Sequence, residues 1–145
     1  MRVMDLMSRP PVTIEPRTPV LEARDLMARH RIRHLLVVEG PRLVGIVTDR
    51  DIRLNLPSPA TSLSVWELTY LLARLTVGQV MTKALIVVEP EREAREAARI
   101  MLEHKIGALP VISGDRLVGI VTESDFLRAF ATGSVAEAPA TARPA

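Results

Sequence analysis

Cysteine is absent from this chain of 145 residues, and aromatic residues make up only 3% of it. Without cysteine there is no disulfide framework, no thiolate nucleophile and no cysteine-ligated zinc. No apolar run approaches the ~18 residues that a transmembrane helix needs. The opening MRVMDLMSRPP contains Asp5 and lacks the apolar stretch of a signal peptide. These absences favour a cytoplasmic protein with no membrane partner.

An excess of charge of one sign is also lacking. Nineteen basic residues face 17 acidic ones, for a formal net charge of +2, although 17 of the 19 basic residues are arginine. Aromatic residues for base stacking are nearly missing and no helix-turn-helix is visible, so nucleic acid is not an expected partner. The hydrophobic content of 48% is too high for a disordered chain.

Motifs of catalysis are missing as well. The chain has no G-x-S-x-G elbow, no Walker-type Gly-Lys-Ser/Thr loop and no G-x-G-x-x-G. Its three histidines, His30, His34 and His104, have no acid cluster beside them that would complete a metal site. We therefore expect neither an enzyme nor a metal protein, and interpret His30 and His104 as residues at helix C-termini.

The main feature that is present is an internal repeat. RLVGIVTDRD at 42–51 returns as RLVGIVTESD at 116–125, an offset of 74 residues. The same offset needs no gap from residue 3 to 54, and about 20 of those 52 positions are identical. The chain therefore consists of two copies of one unit.

Each copy predicts the order β-α-β-β-α. Short β-branched stretches, 12–14 and 86–88, are followed by Glu-Pro and then by a helical pattern, with Thr18 expected to cap the first helix and Pro19 to open it. Apolar strands are predicted at 35–39, 43–48, 109–113 and 117–122, and final helices from Asp49 and Glu123.

These patterns set the expected boundaries. Repeat 1 covers 1–56, a linker helix lies within 57–76, repeat 2 covers 77–131, and a disordered tail of small residues and proline follows at 132–145. Within the linker, 65–75 reads as an amphipathic helix that holds the only Trp and the only Tyr, Trp66 and Tyr70. The methionines fall in apolar frames and are interpreted as core residues.

The duplicated GIVTxxD blocks at 45–51 and 119–125, with the paired openings Met7-Ser8 and Met81-Thr82, resemble the tandem CBS (cystathionine-β-synthase-type) domain pair. The resemblance covers about 3–131, and the linker also resembles that of CBS pairs of acetoin utilisation. It implies an α+β (α/β) fold of two repeats packed with pseudo-twofold symmetry. It also implies a regulatory module with clefts for adenosine-containing ligands such as AMP, ADP, ATP or S-adenosylmethionine, and no other cofactor.

The resemblance implies these site residues. The Asp of each block would accept hydrogen bonds from both ribose hydroxyls, the Thr would lie near sugar and phosphate, and apolar residues would enclose the adenine. Cleft one would be formed by Thr48, Asp51, Ile46, Leu85, Ile86 and Ile106. Cleft two would be formed by Thr122, Asp125, Ile120, Pro11, Val12 and Ile32.

Thr-x-x-Asp after a strand is also a helix N-cap, in which the acid in the first turn favours the helix dipole. Capping and ribose binding are compatible, and duplication does not separate them. The phosphate candidates Arg33, His34 and Arg50 carry a similar ambiguity, because Arg33 could simply be a solvated residue at a polar helix end.

The two clefts are not expected to be equivalent. Arg33 and His34 align with Gly107 and Ala108, which predicts that cleft two, around Asp125, is the better phosphate site. A second departure from the family pattern is Leu36, which stands where copy 2 has proline and affects the expected loop geometry of copy 1.

The sequence supports two hypotheses about function. The first is a sensor of adenosine ligands that signals to an unidentified regulated protein, as a homodimer. The second is a homodimeric interaction module that works without a ligand, suggested by the apolar linker helix with Trp66 and Tyr70.

Overall fold

The structure is a computed structural model that describes residues 1–58 and 62–133. It is mixed α+β, as predicted. The elements of the first half are α1 (Val3–Leu6), β1 (Thr13–Ile14), α2 (Val20–His30), β2 (His34–Glu39), β3 (Arg42–Thr48) and α3 (Asp49–Asn55). They are followed by α4 (Val65–Arg74), α5 (Val77–Val80), α6 (Ala94–His104), β4 (Ala108–Ser113), β5 (Arg116–Thr122) and α7 (Glu123–Ala131). The predicted disorder of the tail falls, from residue 134 onward, outside the described residues.

Two compact units make up the chain, and neither is one contiguous sequence copy. The Asp51 unit consists of Pro11–Ile86 with Asp115–Leu117. The Asp125 unit consists of Met1–Pro10, Val87–Gly114 and the chain from Val118. The opening segment of each copy thus belongs to the unit that contains the other copy's last strand and last helix.

A three-stranded sheet organises the Asp51 unit, in the order β1-β2-β3. β1 runs parallel to β2, and β2 pairs antiparallel with β3 around the turn at Gly40, whose φ of 57° suits glycine. Leu35 and Val37 of β2 pack in a core with residues of α2, α3 and α5. The sheet thus fixes the end of β3, where the candidate site begins.

The Asp125 unit repeats this plan with one strand fewer. β4 and β5 form a two-stranded sheet, and the predicted strand at 86–88 is wrong, because only Val88 makes an isolated parallel bridge to Val111. In copy 1 the N–H of Leu36 donates to the Val12 carbonyl, at 3.3 Å. Pro110, at the equivalent position, has no N–H, so copy 2 lacks this ladder bond. Leu36 therefore adds a strand bond to copy 1.

The long helices end alike in both copies. α2 and α6 stop at His30 and His104, as expected for these histidines, and the next residues, Arg31 and Lys105, adopt left-handed backbone with φ of 54° and 55°. The predicted start of α2 is wrong by one residue. Pro19 is itself the extended N-cap and Thr18 does not cap, so the helix begins at Val20.

The linker contains the predicted helix as α4, whose Ser64 side chain accepts a hydrogen bond from the Glu67 N–H at 3.2 Å. Met27 and Met101 are buried as core residues, in agreement with the sequence. In the described part of the chain, no helix is long and apolar enough to span a membrane.

Candidate functional site

The first candidate carboxylate, Asp51, lies in the opening turn of α3. Thr48 ends β3 and caps the helix: its Oγ1 accepts a hydrogen bond from the Asp51 N–H at 3.0 Å, and its own N–H donates to Asp51 Oδ2 at 2.9 Å. This is a reciprocal capping box, and it fixes the carboxylate at the mouth of the helix. No described residue donates to Asp51 Oδ1. Half-buried Asp51 therefore holds one carboxylate oxygen ready to accept hydrogen bonds.

The second candidate carboxylate, Asp125, lies at the same place in α7 and is more enclosed. Its Oδ2 accepts hydrogen bonds from the N–H of Thr122 at 2.8 Å and from the Thr122 hydroxyl at 3.2 Å. Its Oδ1 accepts a hydrogen bond from Arg128 Nη1, at 3.1 Å. Asp125 is only 6% exposed and is the single buried charged residue found in the described chain.

Arg128 is a residue that the sequence reasoning missed. It follows Asp125 by three positions, which places both side chains on one face of α7. The signal was present in the offset alignment, because Arg128 aligns with Leu54 and the two copies therefore differ at this position.

The opening segments lie beside the strands that lead to these turns. Thr82 bridges Ile46 of β3 through two backbone hydrogen bonds of 2.8 and 3.0 Å. Ser8 bridges Ile120 of β5 in the same way, at 2.9 and 3.1 Å. Each bridge is formed within one compact unit, so the predicted opening residues stand next to the strand that ends in Thr48 or Thr122.

The structure places most of the cleft-one residues in the Asp51 unit. Ile46, Leu85 and Ile86 are half-buried there with Thr48 and Asp51, and the Ile46–Thr82 bridge brings the segment before Leu85 beside β3. The sixth residue, Ile106, belongs to the Asp125 unit.

The cleft-two residues are divided between the units. Thr122, Asp125 and Ile120 belong to the Asp125 unit. Pro11, Val12 and Ile32 belong to the Asp51 unit, in which Val12 and Ile32 pack against the apolar core. The composition of both clefts stays a prediction.

The phosphate candidates are all in the Asp51 unit. The Arg33 carbonyl accepts a hydrogen bond from the Asp49 N–H at 2.9 Å, and His34 pairs with Thr48 across the sheet. The main chain of both residues therefore lies next to the Asp51 turn, while the side chains of Arg33 and Arg50 are exposed. Superior phosphate binding by cleft two stays a prediction.

Across residues 1–58 and 62–133, no three His, Asp or Glu side chains lie close enough together to bind a metal ion. What each turn offers is a carboxylate fixed at the start of a helix, which can accept hydrogen bonds from a pair of hydroxyl groups.

Two sequence copies that share the order α-β-β-α, α2-β2-β3-α3 and α6-β4-β5-α7, and that each carry such a capping carboxylate, define a tandem small-domain module of mixed α+β structure. The chain belongs to the CBS domain family, whose model matches residues 3–58 and 77–132. The resemblance read from the sequence is thereby confirmed.

Among curated relatives, the CBS domain-containing protein YhcV of Bacillus subtilis is 31% identical over 85% of this chain and 81% of its own length. Inosine-5'-monophosphate dehydrogenase of Korarchaeum cryptofilum is 39% identical over 86% of this chain. The matched region is only 23% of that enzyme, so the chain spans less than a quarter of it.

Solved structures give the same family. A candidate acetoin utilization protein (AcuB) from Vibrio cholerae matches with a TM-score of 0.76 and 32% identity, over 92% of this chain and 93% of that one. The CBS domain pair of protein MJ0100, in complex with 5'-methylthioadenosine and S-adenosyl-L-methionine, matches with a TM-score of 0.75 and 28% identity over 92% and 98%. CBSX2 in complex with AMP matches with a TM-score of 0.72 and 30% identity over the same shares.

Proposed function

We propose that this protein is a regulatory module that binds adenosine-containing molecules, such as AMP, ADP, ATP or S-adenosylmethionine, through Asp51 and Asp125, and has no catalytic activity of its own. The observation that carries the proposal is the fixed turn Thr48–Asp51. Its capping box orients one carboxylate oxygen and leaves the other without a donor among the described residues.

Ribose is the chemical group that this turn suits. Its neighbouring hydroxyls are two donors, and an ionised carboxylate offers acceptor places on both oxygens. Charge-assisted hydrogen bonds of this kind are roughly twice as strong as neutral ones. Two of the similar structures contain adenosine compounds, AMP in one and S-adenosyl-L-methionine with 5'-methylthioadenosine in the other. The same ligand class is therefore the first to test here.

The composition restricts how the base could be held. The chain has one Trp, one Tyr and two Phe, so aliphatic side chains such as Leu85 and Ile86 would enclose the adenine. Without aromatic stacking, the sugar and phosphate contacts must supply most of the specificity. Arg33, His34 and Arg50 are the candidates for the phosphate, since a guanidinium matches phosphate oxygens with two parallel donors.

Isothermal titration calorimetry of the whole chain with AMP, ATP, S-adenosylmethionine and adenosine tests the proposal. We expect saturable heat with at least one of them and little with inosine 5'-monophosphate or ribose 5-phosphate, which lack the adenine. The absence of heat with every adenosine compound up to about 1 mM, corresponding to a binding free energy weaker than about −4 kcal/mol, would reject it.

A second candidate function is supported by the outer face of α4. Leu68 and Leu72 are half-buried and line, with Leu21 and Arg24, an open and largely apolar pocket. On the opposite side, Trp66 and Tyr70 are 84% and 56% exposed. Such a two-sided apolar helix suits a second copy of this chain, which would make the protein a homodimeric interaction module that needs no ligand.

Replacing Trp66 and Tyr70 together by Ser should convert this dimer to a monomer, because both exposed aromatic side chains of α4 are removed. The molar mass measured by light scattering should fall from twice 16.0 kDa to 16.0 kDa. Leu102→Ser, which removes an equally exposed apolar side chain from α6, is the matched control and should keep the dimer. A wild-type monomer, or a double variant that stays dimeric, would rule out this interface.

A further inference from the structure

The two copies differ in what already occupies the candidate ribose-binding carboxylate. Asp125 accepts three hydrogen bonds, two on Oδ2 from Thr122 and one on Oδ1 from Arg128 Nη1. The carboxylate side chain is 5% exposed, whereas the Arg128 side chain is 67% exposed. The arginine therefore reaches from solvent to the one carboxylate oxygen that Thr122 leaves open.

Among the described residues, Asp51 of copy 1 has no such partner. Asp51 accepts a bond from the Thr48 N–H on Oδ2, and the position three residues further along α3 is Leu54, which is 71% exposed. Leucine cannot donate a hydrogen bond, so Oδ1 of Asp51 stays open to a ligand.

A carboxylate has about four lone-pair places for donors. Three are taken at Asp125, and Oδ1, the oxygen that Thr122 leaves open, has room for only one of the two ribose hydroxyls while Arg128 is bonded to it. At Asp51, the places on Oδ1 are open to both hydroxyls. Because most of the Arg128 side chain is in solvent, its release is possible but has a cost.

On the basis of the proposed function, we propose that Arg128 competes with ribose for Asp125, so that the sugar contact at Asp125 is weaker than the sugar contact at Asp51. Arg128 is a positioning residue for Asp125 in this role and lowers the affinity of that site for the sugar. The pair Arg128 and Leu54 then explains, from one aligned position, why two similar turns would bind the sugar with different strength.

A different role for Arg128 would be direct contact with the ligand's phosphate. The two roles predict opposite changes in ligand affinity when Arg128 is replaced. Comparing adenosine with AMP distinguishes them, because only AMP carries a phosphate. Competition with ribose affects both ligands equally, because both carry the sugar. A phosphate contact affects AMP alone.

The test is an exchange of the two residues, with one site removed in each background. In Asp51→Ala protein, calorimetry reports binding at the Asp125 site. There, Arg128→Leu should raise the affinity for both adenosine and AMP by about two- to fivefold, the range expected for a largely exposed ion pair. In Asp125→Ala protein, Leu54→Arg should weaken both by a similar factor. Arg95→Leu, which removes an exposed arginine from α6, controls for net charge and should change neither.

Each result decides the question. Competition is supported if Arg128→Leu raises the affinity for both ligands and Leu54→Arg lowers the affinity for both. Unchanged affinities, or a loss of AMP binding with adenosine unaffected, overturn it while leaving the proposed function intact. Absence of binding by the wild-type chain itself rejects the proposed function, and the inference with it.

Discussion

At the residue scale, Asp51 and Asp125 each combine a structural role with a proposed binding role. Both carboxylates accept a hydrogen bond from the N–H of the threonine three residues earlier. This bond stabilises the start of each helix and also fixes the position of the carboxylate. The Thr-x-x-Asp spacing made this predictable, because a capping box requires that spacing. Their different surroundings come from Arg128, which stands where the other copy has Leu54. The alignment shows that the two copies differ at this position, but the contact of Arg128 with the Asp125 carboxylate is visible only in the structure.

A second residue-scale feature is Lys105, which continues the chain after α6 with a φ of 55°. A residue with a Cβ is strained there by about 1–2 kcal/mol, while glycine is not, although glycine costs about 0.4–1 kcal/mol in unfolded-state entropy. Lys105→Gly should therefore raise the free energy of unfolding by about 0.5 kcal/mol, measured by urea denaturation.

Lys105→Ala is the matched control for this position. It removes the same charge but keeps the Cβ, so it should bring no gain in stability. If the glycine variant is no more stable than the alanine variant, the left-handed backbone at Lys105 does not limit stability.

At the element scale, the close contact of each opening segment with a strand depends on a glycine. A Cβ built on Gly119 of β5 would meet the Ser8 carbonyl oxygen at 2.8 Å. A Cβ on Gly45 of β3 would meet the Met81 Sδ at 2.5 Å and the Thr82 carbonyl oxygen at 3.1 Å. The obstacle is backbone in the first case and chiefly the end of a flexible side chain in the second.

Gly119→Ala should consequently be the more damaging of two equivalent substitutions. We expect it to lower the free energy of unfolding by about 1–3 kcal/mol, against about 1 kcal/mol for Gly45→Ala, since Met81 can move aside. Thermal and urea unfolding of the two variants measure this. Equal losses, or a larger loss for Gly45→Ala, would contradict the packing described for Ser8.

The elements themselves were largely predictable. Apolar runs gave four strands to within a residue, and Asp49 and Glu123 do begin the last helices. The misses have local causes. Pro110 cannot donate the ladder bond that Leu36 donates, so the strand at 86–88 is reduced to a bridge at Val88. The short helices α1 and α5, one turn each, have too few residues for a periodic pattern and were not predicted.

At the scale of the whole molecule, the sequence copies and the compact units are different divisions of the chain. The copies run from residue 3 to 58 and from 77 to 132. The compact units exchange their opening segments, so that Ser8 pairs with Ile120 and Thr82 with Ile46. The internal repeat shows which residues of the two copies are equivalent. It does not show whether an opening segment packs on its own copy's strand or on the other copy's, because β3 and β5 have the same sequence, RLVGIVT. The cytoplasmic location, the homodimer and the regulated partner remain predictions.

The most direct test of the central claim is calorimetric titration of AMP, or of whichever adenosine compound binds the wild-type chain best, into the Asp51→Ala/Asp125→Ala variant. Loss of a charged hydrogen-bonding group should weaken each site by about 1.5–3 kcal/mol, roughly ten- to a hundredfold. Asp5→Ala is the control, since Asp5 accepts a hydrogen bond from the Arg2 N–H at the start of α1, outside the candidate sites. We expect the double variant to lose measurable binding, whereas Asp5→Ala should bind the ligand as the wild type does. Wild-type affinity in a folded double variant would contradict the central claim.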